Sequence, residues 1–223
     1  MNKNNQKKNN FINVVSTFTK DNIKTIIISI TVIFFMFLSY QGYLYYNVNK
    51  LNNLSISYFK NKEIDDELIS LSEFNSISNQ SGFYSILSKL ELINKYINKN
   101  EFDKSIELYN EILLSKDLDS NYVSIVAIKG AYQLIDIVIK NNNKNYINNI
   151  NNFISLIDEN LDNYIGSKNE LLYLVSILSL NDDSSYKNNS ELLTLYENMM
   201  NNEKISSTIK ERVKKIHEFY IFI

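Results

Sequence analysis

Residues 82–114, GFYSILSKLELINKYINKNEFDKSIELYNEILL, decide how the chain folds. Phe83, Ile86, Leu87, Leu90, Ile93 and Ile97 recur at the spacing of one face of an α-helix. Asn98-Lys99-Asn100 interrupts the stripe, and Phe102, Ser105, Ile106, Tyr109, Ile112 and Leu113 resume it on a second helix. Asparagine tolerates left-handed backbone nearly as well as glycine, so Asn98 or Asn100 can end the first helix. A break this short forces the second helix to run antiparallel, and the segment predicts an αα-hairpin.

The same unit recurs towards the C-terminus. Val123, Val126, Ala127, Gly130, Leu134 and Val138 share one face. After a break at Asn141 to Lys144, Ile147, Ile150, Phe153, Ile154 and Ile157 follow. A third pair starts at Ser167-Lys-Asn-Glu170, which reads as a capping box leading into Leu171, Leu174, Val175 and Leu178. It breaks at Asn181 to Ser185 and continues with Leu192, Leu195, Tyr196 and Met199. The last stretch, with Ile205, Ile209, Val213, Ile216 and Tyr220 on one face, predicts a capping helix. First helices beginning near 83, 122 and 168 give a repeat of about 39 and then 46 residues, within the range of helical solenoids. Each hairpin is amphipathic and must stack on the next to bury its stripe. The only two alanines, Ala127 and Ala131, flank Gly130 and predict a close helix contact there.

Upstream, no charge occurs between Lys24 and Lys50. Residues 25–46, TIIISITVIFFMFLSYQGYLYY, would span roughly 33 Å as a helix, against about 30 Å for a hydrocarbon core. The run is longer than a signal-peptide core and no small-residue cleavage site follows, which predicts an uncleaved single-pass anchor. Lys3, Lys7, Lys8, Lys20 and Lys24 precede it against Asp21 alone, whereas acidic residues outnumber lysines just after it. The positive-inside rule then puts the N-terminus in the cytoplasm and everything after Tyr46 outside. Tyr40, Tyr43, Tyr45 and Tyr46 suit the outer headgroup level, and Ser39 with Gly42 offers a small-residue patch for lateral packing. The expected organisation is a basic tail over 1–24, a transmembrane helix over 25–46, a bridging helical segment over 47–81 (Val48, Leu51, Tyr58, Ile64, Leu68, Leu71) and a helical-repeat domain over 82–223.

Composition narrows the chemistry. The 223 residues carry 25 acidic and 23 basic groups, one histidine, four glycines, and neither proline, cysteine nor tryptophan. Without cysteine there is no disulfide framework, thiol nucleophile or zinc ribbon. A near-neutral balance argues against nucleic acid, which demands a basic face. Scarce glycine and absent proline remove the punctuation of an all-β fold. The 36 asparagines and 32 isoleucines match A/T-rich codon usage. A prion-like disordered segment is the sharper reading of that excess, but helical apolar spacing runs through the asparagine-rich stretches. His217 lacks a nearby nucleophile, and Glu218 points about 100° away around a helix, so His217 is expected to be solvated. Asp65-Asp66-Glu67 lacks ligand spacing and reads as a helix start, and Asp182-Asp183 reads as a turn. No catalytic, cofactor-binding or metal-binding residue is expected.

Lys99-Asn-Glu-Phe-Asp-Lys-Ser-Ile-Glu-Leu-Tyr-Asn-Glu-Ile-Leu113 resembles the second helix of a tetratricopeptide repeat. Phe102, Ile106, Tyr109 and Leu113 occupy its apolar positions, and Leu92 and Tyr96 match large positions on the first helix. Ile93, Ser105 and Ile112 depart from its small residues, Asn100 replaces its glycine, and Asp117 stands where proline is usual. With one anchor and a bridging helix, the chain resembles a narrower family, the YfgM-like ancillary subunits of the bacterial Sec translocon. The most family-like string is Ser88-Lys-Leu-Glu-Leu through Lys104, preceded by Gly82-Phe83-Tyr84. The resemblance implies an all-α protein at the bacterial inner membrane with a degenerate tetratricopeptide-like solenoid of about three hairpins in the periplasm. It implies a non-enzymatic adaptor binding translocon subunits, secreted or periplasmic proteins, or chaperones, with no small-molecule substrate. The candidate partner surface is the concave face lined by the first helices of the hairpins, where Tyr84 and Tyr96 read either as contacts or as core, and Ser39 with Gly42 is the candidate contact within the bilayer. The other reading is a cell-envelope assembly factor serving an outer-membrane, division or cytochrome-maturation complex.

Overall fold

A computed structural model describes residues 3–116, 118–180, 186–187 and 189–222, and the side chains from residue 20 onward within them. The described residues are all-helical. The helices are α1 (Lys3–Lys62), α2 (Glu67–Ser78), α3 (Phe83–Asn98), α4 (Phe102–Leu113), α5 (Ser120–Asn141), α6 (Ile147–Ser155), α7 (Asp162–Leu178), α8 (Ser190–Asn201) and α9 (Ser207–Phe222), with a short 3-10 turn at Lys144–Tyr146. The chain divides into two compact units, residues 1–59 and residues 60–223. The expected break over 181–185, the Asp182-Asp183 turn and Asp117 lie outside the described residues, as do the side chains of Lys3, Lys7 and Lys8.

The first unit is a single helix. At about 1.5 Å per residue, α1 is roughly 90 Å long. Its stretch from Lys20 to Lys62 is long and apolar enough to cross a membrane, and the window that qualifies is wholly unburied. The stretch 47–81, expected as a bridging helical segment, holds the end of α1 and all of α2. No helix end occurs at Tyr46, because the stretch between Gly42 and Lys62 holds no proline and no further glycine. The end comes after Lys62. Asp66 then starts α2 by accepting hydrogen bonds from the backbone N–H of Leu68 at 2.9 Å and of Ile69 at 3.0 Å. The expected helix start at residues 65–67 is thus a true N-cap.

In the second unit, α3 and α4 form the expected antiparallel hairpin. Asn100 adopts φ 59° and closes α3 in the left-handed conformation, with Glu101 N–H bonding back to Tyr96 O at 2.9 Å. Asn142 does the same for α5 at φ 47°, with Asn143 N–H bonding to Val138 O. Both caps put asparagine where glycine is usual. The single stripe expected on α3 is incomplete. Phe83 is exposed, and Ser85, Ser88 and Leu92 are buried on a second face. That second face exists because α2 packs along α3 as closely as α4 does. Ser85 Oγ donates to Ser78 O at 2.6 Å, and Asn61 Nδ2 donates to Ser70 O at 3.0 Å. Small serines let these helices approach in a chain with almost no alanine.

The main core is built on α5. A Cβ on Gly130 would lie 2.9 Å from the Phe153 ring and 3.2 Å from the Tyr109 ring, so α5 packs between α4 and α6 with backbone against aromatic rings. Ala127 and Ala131 are fully buried beside it, as the sequence predicts. The capping box at Ser167–Glu170 is overturned. α7 begins five residues earlier, at Asp162, and Glu170 is buried in mid-helix. Two faces of α7 are used. Leu171 and Val175 join the core shared by α3 to α7, whereas Tyr173 and Ile177 join a second core with Tyr186, Leu192, Met199, Ile205 and Val213. The expected stripe contains only the first of these faces.

Candidate interaction surface

The C-terminal halves of α5, α7 and α9 enclose an open apolar groove of about 380 Å³. Ile139 comes from α5, Leu174, Ile177 and Leu178 from α7, and Ile216, Phe219 and Tyr220 from α9. Lys215 supplies the single charged lining group and pairs with Glu211 at 3.2 Å, one turn back. α5 and α7 are the first helices of the second and third hairpins, and α9 is the capping helix. Phe219, on the lip of the groove, is 60% exposed.

Two polar clusters fix α9 and thereby shape the groove. The first surrounds Glu170, which is 3% exposed. Arg212, the only arginine of the chain, grips it from α9 through Nε to Oε1 at 2.8 Å and Nη2 to Oε2 at 2.5 Å. Tyr132 on α5 donates its hydroxyl to Oε2 at 2.7 Å. A buried carboxylate must be paired and hydrogen-bonded to be tolerated, and this one is met by three donors from two other helices. The second cluster is aromatic. Tyr186, in the connection between α7 and α8, is fully buried, bonds Tyr173 through the two hydroxyls at 2.5 Å, and bonds His217 Nδ1. The Tyr196 ring lies 3.6 Å from the imidazole at an interplanar angle of 8°. Tyr220, a groove residue, stacks on Tyr186 at 5.4 Å.

His217 therefore is not solvated. It is half-buried between tyrosines, and burial holds its pKa below the usual histidine value, opposed by the negative charge of Glu218. Its partners come from the α7–α8 connection and from α8, so their proximity is created by the fold. The only sequence signal was the interval of Ile209, Val213, Ile216 and Tyr220, which places His217 beside an apolar stripe.

The sequence-derived contacts lie elsewhere. Tyr84 is half-buried at the start of α3, with its ring against Phe83 at 5.5 Å. Tyr96 is half-buried near the end of α3, with Lys104 Nζ 5.3 Å from its ring centre. Neither lines the groove. Ser39 and Gly42 are exposed on α1, and nothing lies within 4 Å of a Cβ built on Gly42. Among the described residues, no three acidic or histidine side chains gather in a way that could hold a metal ion.

No protein-family model, curated protein or solved structure matches the chain.

Proposed function

We propose that the chain is a membrane-tethered adaptor without catalytic activity. Residues 25–46 cross the bacterial inner membrane with the N-terminus in the cytoplasm, and the bundle captures another protein on its α5–α7–α9 groove in the periplasm. One observation carries this reading. An uncharged run of 25 residues, 25–49, lies on one uninterrupted helix with its large apolar side chains exposed, and the same chain carries an open apolar groove. Such a run has a suitable environment in lipid and none in water. The lysine asymmetry around the span supports the orientation. The likeness of residues 82–84 and 88–104 and of the chain's layout to the ancillary Sec translocon subunits supports a partner among translocon subunits, secreted chains or periplasmic chaperones.

The test is photocrosslinking in intact membranes from a benzoyl-phenylalanine placed at Phe219. Translocon subunits, secreted chains or chaperones recovered from this position, and not from one at Tyr84, support the reading. Recovery of a division or cytochrome-maturation complex without translocon subunits overturns it. Equal capture from both positions removes the groove from the account.

A further inference from the structure

The hydrogen-bonded chain Tyr173–Tyr186–His217 has only one arrangement that satisfies both hydroxyl protons. With a neutral imidazole carrying its hydrogen on Nε2, Nδ1 accepts from the Tyr186 hydroxyl, and the Tyr186 oxygen accepts from Tyr173. A proton added to the imidazole occupies Nδ1, which then donates to Tyr186. Two hydroxyl hydrogens remain, and only one can lie between the two phenol oxygens. The other loses its acceptor where both tyrosines are fully buried. A buried donor without an acceptor is among the more costly defects a fold can carry.

The groups around the imidazole weigh in both directions. Tyr173 from α7, Tyr186 from the α7–α8 connection, Tyr196 from α8 and Tyr220 from α9 present neutral phenols. Glu218 on α9 favours the proton, but it is half-exposed and shares its charge with Lys214 at 3.8 Å. The Tyr196 face also attracts a cation. Burial outweighs both and depresses the His217 pKa. Because Tyr220 stacks on Tyr186 and also lines the groove, a break in this chain is felt at the binding surface.

We infer that His217 is a proton-operated latch on the groove. The neutral imidazole ties α9 to the α7–α8 connection and keeps the groove shaped for its partner, and mild acid releases α9 and the partner with it. The inference rests on the groove being the partner site. The sign follows from linkage. The unfolded chain takes up a proton near pH 6.5 and the folded chain resists it, so the stability from this group is fully present above about 6.5 and is lost as pH falls through the folded pKa.

The chain has one histidine and no cysteine, which makes the test clean. The full chain in lipid nanodiscs gives a single imidazole NMR titration, and its midpoint is expected below 6.5. Ile139→Cys, labelled with an environment-sensitive fluorophore, reports the groove, and its emission is expected to shift with the same midpoint. The thermal midpoint is expected to drop more between pH 7.5 and 5.5 in the parent chain than in His217→Asn, which keeps a polar atom near Nδ1 but does not titrate. A histidine midpoint at or above 6.5 overturns the latch. So does a groove label that stays silent while His217 titrates, or that still responds in His217→Asn. If the label follows His217 but Phe219 captures no partner, the latch stands and the groove's role as partner site fails. Should His217→Asn not fold, Tyr186→Phe serves in its place, since it removes the shared hydroxyl and is expected to abolish the coincidence of the two midpoints.

Discussion

Gly130 and Gly166 look alike in sequence, both within helices, yet their surroundings predict opposite responses. The missing Cβ of Gly130 faces two buried rings, Phe153 and Tyr109, packed 5.5 Å apart with little room to move. At Gly166 the nearest atom is the flexible end of Ile209, at 2.7 Å. Alanine gains up to about 1 kcal/mol of helix propensity over glycine. Overpacking a rigid core costs about 1–3 kcal/mol. Gly130→Ala should therefore lower the urea midpoint, whereas Gly166→Ala should leave it unchanged or raise it slightly; the reverse order would mean the rings yield. The buried serines separate in the same way. Ser85 Oγ bonds Ser78 O, and its loss in Ser85→Ala should cost about 1 kcal/mol. Ser88 Oγ has no protein partner, so Ser88→Ala should be neutral or stabilising in the same denaturation assay. Gly130 was legible because small residues stand out in a chain with two alanines. The serines were not, because a polar residue beside an apolar stripe reads as surface until a second helix is known to cover it.

Helices and their joints were legible where apolar spacing and asparagine breaks coincided, as at Asn100 and Asn142. They were misread where a local motif served a distant partner. Ser167–Glu170 has the letters of a capping box, but Glu170 is in mid-helix because it must meet Arg212, 42 positions later. One stripe was also assigned to α3 and α7, although each has two buried faces. A helix packed on both sides blurs the periodicity that identifies it. The ion pair itself yields a prediction. Breaking a fully buried pair from one side costs about 3–5 kcal/mol; Arg212 is half in solvent, so Arg212→Ala should cost nearer 2–3 kcal/mol, read from chemical denaturation. Replacing Glu170, Arg212 and Tyr132 together by Met, Met and Phe should recover most of that loss, because no buried charge is left behind.

Across the whole molecule, α1 and the bundle make separate demands. The absence of cysteine allows single-cysteine topology mapping. With the proposed orientation, Asn53→Cys and Asn151→Cys in intact spheroplasts should react with a membrane-impermeant maleimide, and Gln6→Cys only after lysis. Labelling of Gln6→Cys in intact cells would reverse the topology. The bundle also has an internal order of events. Because α7 belongs to both cores, its central amides, from Leu171 to Ile177, become accessible to solvent deuterium only when both cores have opened. They should be the slowest-exchanging hydrogens of the bundle, with α8 and α9 exchanging earlier and together. The last two helices can then detach and return as a unit while the rest stays folded, so the groove would be remade many times within one lifetime of the folded protein.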